Sequence, residues 1–211
     1  MVKLSVIVPV YNEERYLEAT LRAASHPDAE LIVVCNGCTD GSVAVARRFA
    51  DKVFVLDEAH VSKARNFGAS KASADKLVFL DADIVVDREV LGKIADSRFS
   101  VGTCLVRPDC DKPLYVVLMK LKSMVHRFGF CSGLIFCDRR LFNQVGGFDE
   151  SRKVGEDGKL LRSAKRHGEY GIVDAYVFNN MRRFEKLGVL GVCSFWVRHY
   201  IKGHKEYSAV R

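Results

Sequence analysis

The sequence predicts an α/β protein with a mainly parallel central sheet and helices on both of its faces. Short β-rich runs alternate with helix-like stretches through the first half of the chain, which is the pattern of βαβ units. Polar and acidic residues follow the ends of these runs, where ligands bind in parallel sheets. A composition of 48% hydrophobic and 28% charged residues is typical of a globular protein.

The first βαβ unit begins with the strand-like run "LSVIVPV" at 4–10. A helix is predicted at 13–25, because its apolar residues recur on one face, and Asn12 is a natural N-cap for it. The pattern then repeats, with strands predicted at 30–34, 52–57 and 76–81 and helices at about 41–50 and 61–73.

The second half of the chain has a looser pattern. It contains a strand-like run at 101–107, a long amphipathic helix at about 113–128, a polar helix at 156–167 and a strand near 171–178. Neither a repeat nor a linker is evident, and 211 residues suit one generous domain. We therefore predict a single domain over 1–211.

The net charge of +7 is concentrated in the second half. Residues 1–106 contain 13 Lys and Arg against 15 Asp and Glu, or −2, whereas residues 107–211 contain 20 against 11, or +9. A basic half can attract nucleic acid, an anionic membrane surface or a phosphorylated substrate. A solvated basic surface without a partner explains the charge equally well.

Cysteine usage and hydropathy predict a cytoplasmic protein. The seven cysteines are odd in number and scattered through apolar stretches, as expected of reduced thiols. No leader-like segment precedes the first strand-like run, which starts at Leu4. The longest weakly polar stretch near the C-terminus, 187–197, has 11 residues against the about 20 needed to cross a bilayer. Membrane contact is therefore expected only as peripheral contact at the inner face.

Two acids, Asp81 and Asp83, interrupt the apolar run "LVFLDADIVVD" at 77–87. Residues two apart on an extended chain share a face, so both carboxylates should point the same way. Burying them unpaired would cost several kcal/mol each. The pair is therefore expected at a strand end, next to either a Lys or Arg side chain or a divalent metal with bound phosphate.

Three other chemistries fit parts of the sequence less well. "CNGC" at 35–38 could be a redox pair or half a zinc site, but no second close cysteine pair accompanies it. "DADIV" at 81–85 fits the D-x-D-x-[TV] pattern of haloacid-dehalogenase-like phosphatases, although that motif normally follows the first strand, not the fourth. "PVYNEE" at 9–14 lacks the glycines of a dinucleotide-binding turn, which argues against NAD.

Several stretches together resemble the family 2 glycosyltransferases of GT-A fold. They are, in order, "VIVPVYNEERYL", "VVCNGCTDGS", "KARNFGAS", "LDADIV", "GGFDE" and "GED", and they cover roughly residues 4–170. A D-x-D alone is common by chance, whereas six pieces in this order are specific. The resemblance implies a GT-A fold with a nucleotide-binding half at 1–106 and an acceptor half with a basic C-terminal tail at 107–211.

The resemblance implies a nucleotide pocket at the strand ends of the first half. The residues that match the family's pocket motifs are Pro9, Tyr11, Asn12, Glu13, Asn36, Asp40, Lys63, Arg65 and Asp81. Cys35 stands where the family often has an acid that reads uracil, so UDP and GDP donors both remain open. Arg65 could offer its planar fork to phosphate or to the D-x-D acids, or form a salt bridge on a helix face.

The resemblance also implies the chemistry. Asp81 and Asp83 would meet the ribose and a Mg²⁺ or Mn²⁺ ion that bridges the donor's diphosphate. Asp157 would be the general base of an inverting transfer, with Glu156 and Gly133 on the acceptor side. An Asp at a helix N-terminus is also an ordinary dipole-favoured cap.

The acceptor cannot be read from the motifs, and a glycan or a lipid phosphate both fit. The helix at 113–128 carries an apolar stripe edged by Lys120, Lys122 and Arg127, which usually packs on a core but can also lie in a membrane interface. Basic residues at 198–205 strengthen the membrane interpretation. A nucleotide sugar is the expected partner, without nucleic acid, and the alternative function is a catalytically silent sugar-nucleotide-binding module.

Overall fold

The computed structural model describes residues 2–131, 133–152 and 154–202, with side chains through Val192 and at Ser194. The side chains of the basic tail predicted at 198–205 lie outside this part. The strands are β1 Leu4–Val10, β2 Ala29–Asn36, β3 Lys52–Leu56, β4 Lys76–Leu80, β5 Ile84–Val86, β6 Val101–Pro108, β7 Leu134–Asp138 and β8 Tyr170–Asn179. The helices are α1 Glu14–Ala23, α2 Ser42–Phe49, α3 Val61–Lys71, α4 Val90–Asp96, α5 Pro113–Val125, α6 Arg139–Gln144, α7 Glu156–Ala164 and α8 Arg182–Lys202, with a 3₁₀ turn at His126–Phe128 and a non-helical Gly188 inside α8.

The strands form one sheet in the order β3-β2-β1-β4-β7-β6-β8-β5. Strands β1 to β4 pair in parallel, as do β6 and β8. Strand β7 runs antiparallel to both β4 and β6, and β5 runs antiparallel to β8. The predicted α/β fold is confirmed, and its sheet is mixed. Each antiparallel pair includes a strand from the second half of the chain, either β7 or β8.

Helices cover both faces of the sheet, because the central strands are apolar on both sides. All seven residues of β1 are buried. Its Leu4, Val6 and Val8 face a core shared with α1, α2, α4, α5 and α8, whereas Ile7 faces a second core shared with α3, α6 and α7. Such strands need cover on both faces, which the crossover helices provide.

The sequence placed most elements within a few residues, but one cap was wrong. Asn12 is not the N-cap of α1, because the cap position falls on Glu13, and Asn12 itself has a left-handed φ of 53°. The Asn12 side chain instead accepts a hydrogen bond of 2.7 Å from the backbone N–H of Thr39. The short elements β5, α4 and α6 were not predicted, and neither was α8.

The close pairing of β6 with β8 depends on Gly102. A Cβ at this position would lie 2.0 Å from the carbonyl oxygen of Gly171 and 2.6 Å from the Phe136 ring. We expect Gly102→Ala to lower the free energy of unfolding by about 1–3 kcal/mol or more, because the added methyl group would clash with backbone atoms that cannot move aside easily. Urea unfolding measures this.

Gly92 in α4 is the matched control for Gly102. Its Cβ would find no atom closer than 3.8 Å, at His26. Gly92→Ala should therefore leave stability unchanged or raise it by about 0.4–1 kcal/mol. Equal losses in the two variants would contradict the packing argument.

In the part of the chain described above, no helix combines the length and the apolar character that crossing a membrane requires.

Candidate functional site

The candidate site lies at one edge of the sheet, where four strands end. Strand β7 is antiparallel to both β4 and β6, so β6 runs in the same direction as β4. Strand β8 is parallel to β6 and therefore also runs in the direction of β4. The carboxyl ends of β1, β2, β4 and β8 therefore meet at the same edge. The segments that follow them carry most of the charged side chains discussed below, as expected for a ligand-binding edge.

A buried arginine, Arg65 of α3, holds three carboxylates at this edge. Its side chain is 5% exposed. One guanidinium nitrogen lies 2.7 Å from Asp81, and the other lies 3.0 Å from Glu156 and 2.6 Å from Asp157. The guanidinium also packs 5.0 Å from the ring centre of Phe148. Arg65 therefore joins acids from two separate motifs and is not a surface ion pair on a helix face.

A second arginine, Arg182 at the start of α8, holds the other acids. Its guanidinium donates to both carboxylate oxygens of Glu13, at 2.6 and 2.9 Å, and to Asp83 at 3.0 Å. It also stacks 4.5 Å from the ring centre of Tyr16. Arg182 was not predicted from the sequence. The signal that could have found it is its place directly after β8, at the same edge as the acids.

Asp81 and Asp83 do not share one cationic partner. Strand β4 ends at Leu80, and a turn closed by a hydrogen bond from the Ile84 N–H to the Asp81 carbonyl oxygen follows. The two carboxylates therefore bind different arginines, and the prediction that they share the face of an extended strand was wrong. They still influence each other, since burial and the Asp81 charge raise the pKa of Asp83 to about 6.

Asp157 lies in the first turn of α7, beside Glu156. Burial raises the pKa of Asp157 well above its ordinary value, and the nearby Glu156 and Asp81 carboxylates add to the rise while Arg65 opposes it. Glu156 is 8% exposed. A carboxyl group with a raised pKa can accept a proton near neutral pH, which is what a general base does.

Three predicted nucleotide residues brace the loops at this edge. The Asn36 amide donates to the Val10 carbonyl and accepts from the His60 N–H. Asp40 accepts from the N–H groups of Glu14 and Ser42, at 3.2 and 3.0 Å. Together with the contact between Asn12 and the Thr39 loop, these bonds fix the shape of the turns after β1 and β2.

The remaining predicted residues take varied positions. Pro9 is buried within β1, and Tyr11, directly after that strand, is 39% exposed. Lys63 forms an exposed ion pair with Glu58 at 2.6 Å, apart from the acid cluster. Gly133 has a φ of +82°, and a Cβ there would lie 2.5 Å from Ile84, so only glycine fits beside the acids.

Asn66 links the "ARN" segment of α3 to the "GGFDE" segment at 146–150. Its side-chain amide accepts from the Phe148 N–H and donates to the Phe148 carbonyl, each at 2.9 Å. This pairing holds the 147–150 segment on α3, which places Phe148 under Arg65 and leads the chain into α7.

The acids at this edge suit a hard divalent cation. Carboxylates of Asp81, Asp83 and Glu13 supply the oxygen donors that Mg²⁺ and Mn²⁺ prefer. Arg182 supplies the positive charge that Asp83 and Glu13 contact in this structure. Among the described residues, no group of three or more His, Cys, Asp or Glu side chains is arranged to hold a metal alone. A metal bound here would therefore need ligands from phosphate and water as well.

Comparison with known sequences identifies the first half of the chain. Residues 5–101 match the model of the family "Glycosyl transferase family 2". An uncharacterized glycosyltransferase of Haemophilus influenzae is 33% identical over 99 residues, which cover 43% of this chain and 40% of the relative. Validoxylamine A glucosyltransferase of Streptomyces hygroscopicus subsp. limoneus is 38% identical over 119 residues, which cover 48% of this chain and 26% of the relative. These matches agree with the predicted family over residues 5–101, and the chain spans less than half the length of these relatives.

Comparison with solved structures confirms the GT-A fold. Staphylococcus aureus TarS superposes with a TM-score of 0.70 at 20% identity, covering 93% of this chain and 40% of TarS. Another structure of TarS contains UDP-GlcNAc. The mannosyltransferase PcManGT of Pyrobaculum calidifontis, in complex with GDP-Man and Mn²⁺, superposes with a TM-score of 0.68 at 19% identity. The match covers 98% of this chain and 65% of PcManGT.

Proposed function

We propose that this chain, whose residues 5–101 belong to glycosyl transferase family 2, transfers a sugar from a nucleoside diphosphate sugar to an acceptor hydroxyl with inversion. Residues 1–211 then form a single domain, with a nucleotide-binding half at 1–106 and an acceptor half at 107–211. The observation that carries the proposal is Arg65, which joins the D-x-D acid Asp81 to Asp157 at the ligand-binding edge of the sheet.

The donor would bind along the ends of β1, β2 and β4. Support comes from the relatives of known structure that contain UDP-GlcNAc or GDP-Man. Asn12, Asn36 and Asp40 shape the turns that would form the pocket, and Tyr11 offers an exposed ring beside them. Cys35 at the base-reading position leaves uracil and guanine both open.

Asp83, with Asp81 beside it, would hold a Mg²⁺ or Mn²⁺ ion. Such an ion, held by these carboxylates, would supply positive charge next to the leaving nucleoside diphosphate. Arg182 now neutralises Asp83, so it must turn from that carboxylate when the donor binds. Its guanidinium keeps a bidentate pair with Glu13 at 2.6 and 2.9 Å, which would keep its positive charge next to the diphosphate.

Asp157 would take the proton from the acceptor hydroxyl as that oxygen attacks the anomeric carbon. The new glycosidic bond forms on the face opposite the departing diphosphate, and the electron pair of the broken bond leaves with the diphosphate. Arg65 would orient the Asp157 carboxylate, and Glu156 and Gly133 would border the acceptor. The raised pKa of Asp157 supports this role, since a base titrating near the working pH is most effective.

A catalytically silent nucleotide-sugar-binding module is the second candidate, because Cys35 and Cys38 depart from the family's acidic turn. Slow release of nucleoside diphosphate from a donor without acceptor, stimulated by Mn²⁺, separates the two functions. We expect release for the enzyme and binding alone for the module. A phosphoryl adduct on Asp81 would instead indicate phosphatase chemistry.

Removing Asp83 should abolish metal-dependent donor binding. For the wild type we expect Mn²⁺ to enhance thermal stabilisation by UDP or GDP, worth about 2.7 kcal/mol at a ligand concentration of a hundred times Kd. Asp83→Ala should lose the Mn²⁺-dependent part of that shift. Asp28→Ala, which removes an exposed acid paired with Lys3, is the control and should retain it. An Asp83→Ala variant with unchanged metal dependence would refute the metal site.

A further inference from the structure

The solvent-facing side of α5 is apolar, the reverse of an ordinary surface helix. Leu114, Val117, Leu121, Met124 and the following Phe128 recur every three or four residues, and each is 54–60% exposed. We call these five residues the apolar arc. Met119 is the only residue of α5 that is fully buried. A contiguous exposed patch of this kind marks an interaction surface, whereas isolated exposed apolar residues do not.

The charge around the apolar arc is mainly positive, and Glu185, near the start of α5, is paired with Lys112 at 3.1 Å. No acidic residue occurs between Asp111 and Asp138 in the sequence. Lys120 and Arg127 are exposed and, at helical spacing, lie along one border of the arc. An apolar stripe bordered by cations is the composition of a helix that lies in a membrane interface.

A second pair of cations continues this border from the end of α7. The ammonium group of Lys165 donates to the Arg127 carbonyl at 2.7 Å, and the Arg162 side chain packs against Gly129. Both Lys165 and Arg162 are exposed. The tertiary structure thus gathers four cations from two distant segments beside the apolar arc.

We propose that α5 docks on an anionic lipid bilayer, with the apolar arc among the lipid chains near the headgroups and the four cations on lipid phosphates. Charge favours this partner over a second copy of the chain. In a two-fold dimer across the arc, the acid-free segment 112–137 would face itself, and its cations would repel one another without an acidic partner. An anionic bilayer attracts each such cation by about 1 kcal/mol.

Docking would bring the candidate active site to the membrane surface. On another side of α5, the Lys122 ammonium lies within electrostatic range of Asp81 and Asp83. At helical spacing Lys122 lies outside the apolar arc, so the arc and the acids lie toward different sides of α5. Provided that the proposed glycosyl transfer is correct, the acceptor would be a hydroxyl group carried by a membrane lipid.

Sedimentation of the full chain with vesicles tests the docking. We expect binding to phosphatidylcholine vesicles that contain phosphatidylglycerol, and weak binding to phosphatidylcholine alone. The double variant Val117→Gln with Leu121→Gln should bind at least about tenfold more weakly, because two side chains lose their apolar burial. Val55→Gln is the matched control, since Val55 on β3 is 52% exposed and Val117 is 54% exposed. It should bind like the wild type.

A second variant tests the role of charge. Lys120→Gln with Arg127→Gln should lose most of the preference for anionic vesicles. The proposal would be overturned if the wild type did not bind anionic vesicles, or if the Val117 and Leu121 double variant bound them as strongly as the wild type. If the wild type does not bind vesicles but forms a dimer in light scattering, and the Val117 and Leu121 double variant is monomeric, the arc would instead be the contact with a second copy of the chain.

Vesicle binding needs no donor, and donor binding needs no vesicle, so failure of the docking and failure of the proposed function are distinguishable. The arc variants should keep the thermal shift with nucleoside diphosphate and Mn²⁺.

Discussion

Replacing Asp157 with asparagine should lower kcat by about 10²- to 10⁴-fold and leave the affinity for the nucleoside diphosphate nearly unchanged. The amide has the shape of the carboxylate and can still accept a hydrogen bond from Arg65, now 2.6 Å away. It cannot take up a proton from the acceptor hydroxyl. Steady-state kinetics, combined with calorimetric titration of the nucleotide, measure both quantities.

Glu156→Gln is the matched control for this variant. Glu156 is the adjacent carboxylate, bound to the same Arg65 nitrogen at 3.0 Å. If Asp157 is the base, Glu156→Gln should lose much less turnover than Asp157→Asn. Equal losses of turnover and nucleotide affinity in Asp157→Asn, or a larger loss of turnover in Glu156→Gln, would remove Asp157 from the role of base.

The pH dependence of the wild type provides a third measurement of the same assignment. A general base works only when deprotonated, so the rate should fall as the pH decreases through the pKa of Asp157. Burial raises that pKa, so the acidic limb of kcat/KM should lie well above the ordinary aspartate value of about 3.9. An acidic limb at or below that value would contradict the assignment.

Replacing Arg65 with alanine should lower the free energy of unfolding by about 3–5 kcal/mol, the usual effect of removing one partner from a buried ion pair. The change leaves Asp81, Glu156 and Asp157 close together without their shared cation. Urea unfolding at neutral pH measures the loss. Arg65→Lys should recover only part of it, because one ammonium group cannot reproduce the planar fork.

Arg22→Ala is the control for Arg65→Ala. Arg22 pairs with Glu18 at 2.8 Å on the exposed side of α1, and both side chains are well exposed. Such pairs contribute about 0–1 kcal/mol, so this variant should unfold almost like the wild type. Equal effects of the two changes would show that the Arg65 cluster is not a buried network.

The stability of Arg65→Ala should also depend on pH in a defined direction. Burial and the Glu156 and Asp81 charges raise the pKa of Asp157, and Arg65 opposes the rise, so without the guanidinium the folded-state pKa of Asp157 lies still further above the unfolded value of about 3.9. Between these values the folded protein binds more protons than the unfolded chain. The stability of the variant should therefore rise as the pH falls toward the unfolded pKa values, relative to the wild type.

Local sequence patterns were sufficient to predict the first half of the fold. The alternation of apolar strands with amphipathic helices placed β1 to β4 and α1 to α3 close to their observed bounds, because each helix follows its strand along the chain. The family motifs also pointed to Arg65, Asp81 and Asp157, which lie together at the strand ends. Their roles in binding and catalysis stay predictions, which the variants above test.

Side-chain partners depended on contacts that no local pattern encodes. Asn12 has the residue type of a helix cap, yet its φ of 53° turns its side chain toward Thr39. Asp81 and Asp83 are two residues apart, yet the turn after Leu80 directs them to different arginines. In both cases a hydrogen bond to a distant segment outweighed the local preference.

The sequence by itself determined the strands apart from the short β5, most helices and the acids that follow β4. Only the tertiary structure decided the directions of β6, β7 and β8, because strand pairing is set by hydrogen bonds between segments far apart in the chain. The reversed β7 turns β6 and β8 back to the direction of β4. For that reason Arg182, 99 residues after Asp83, lies at the same edge and binds it.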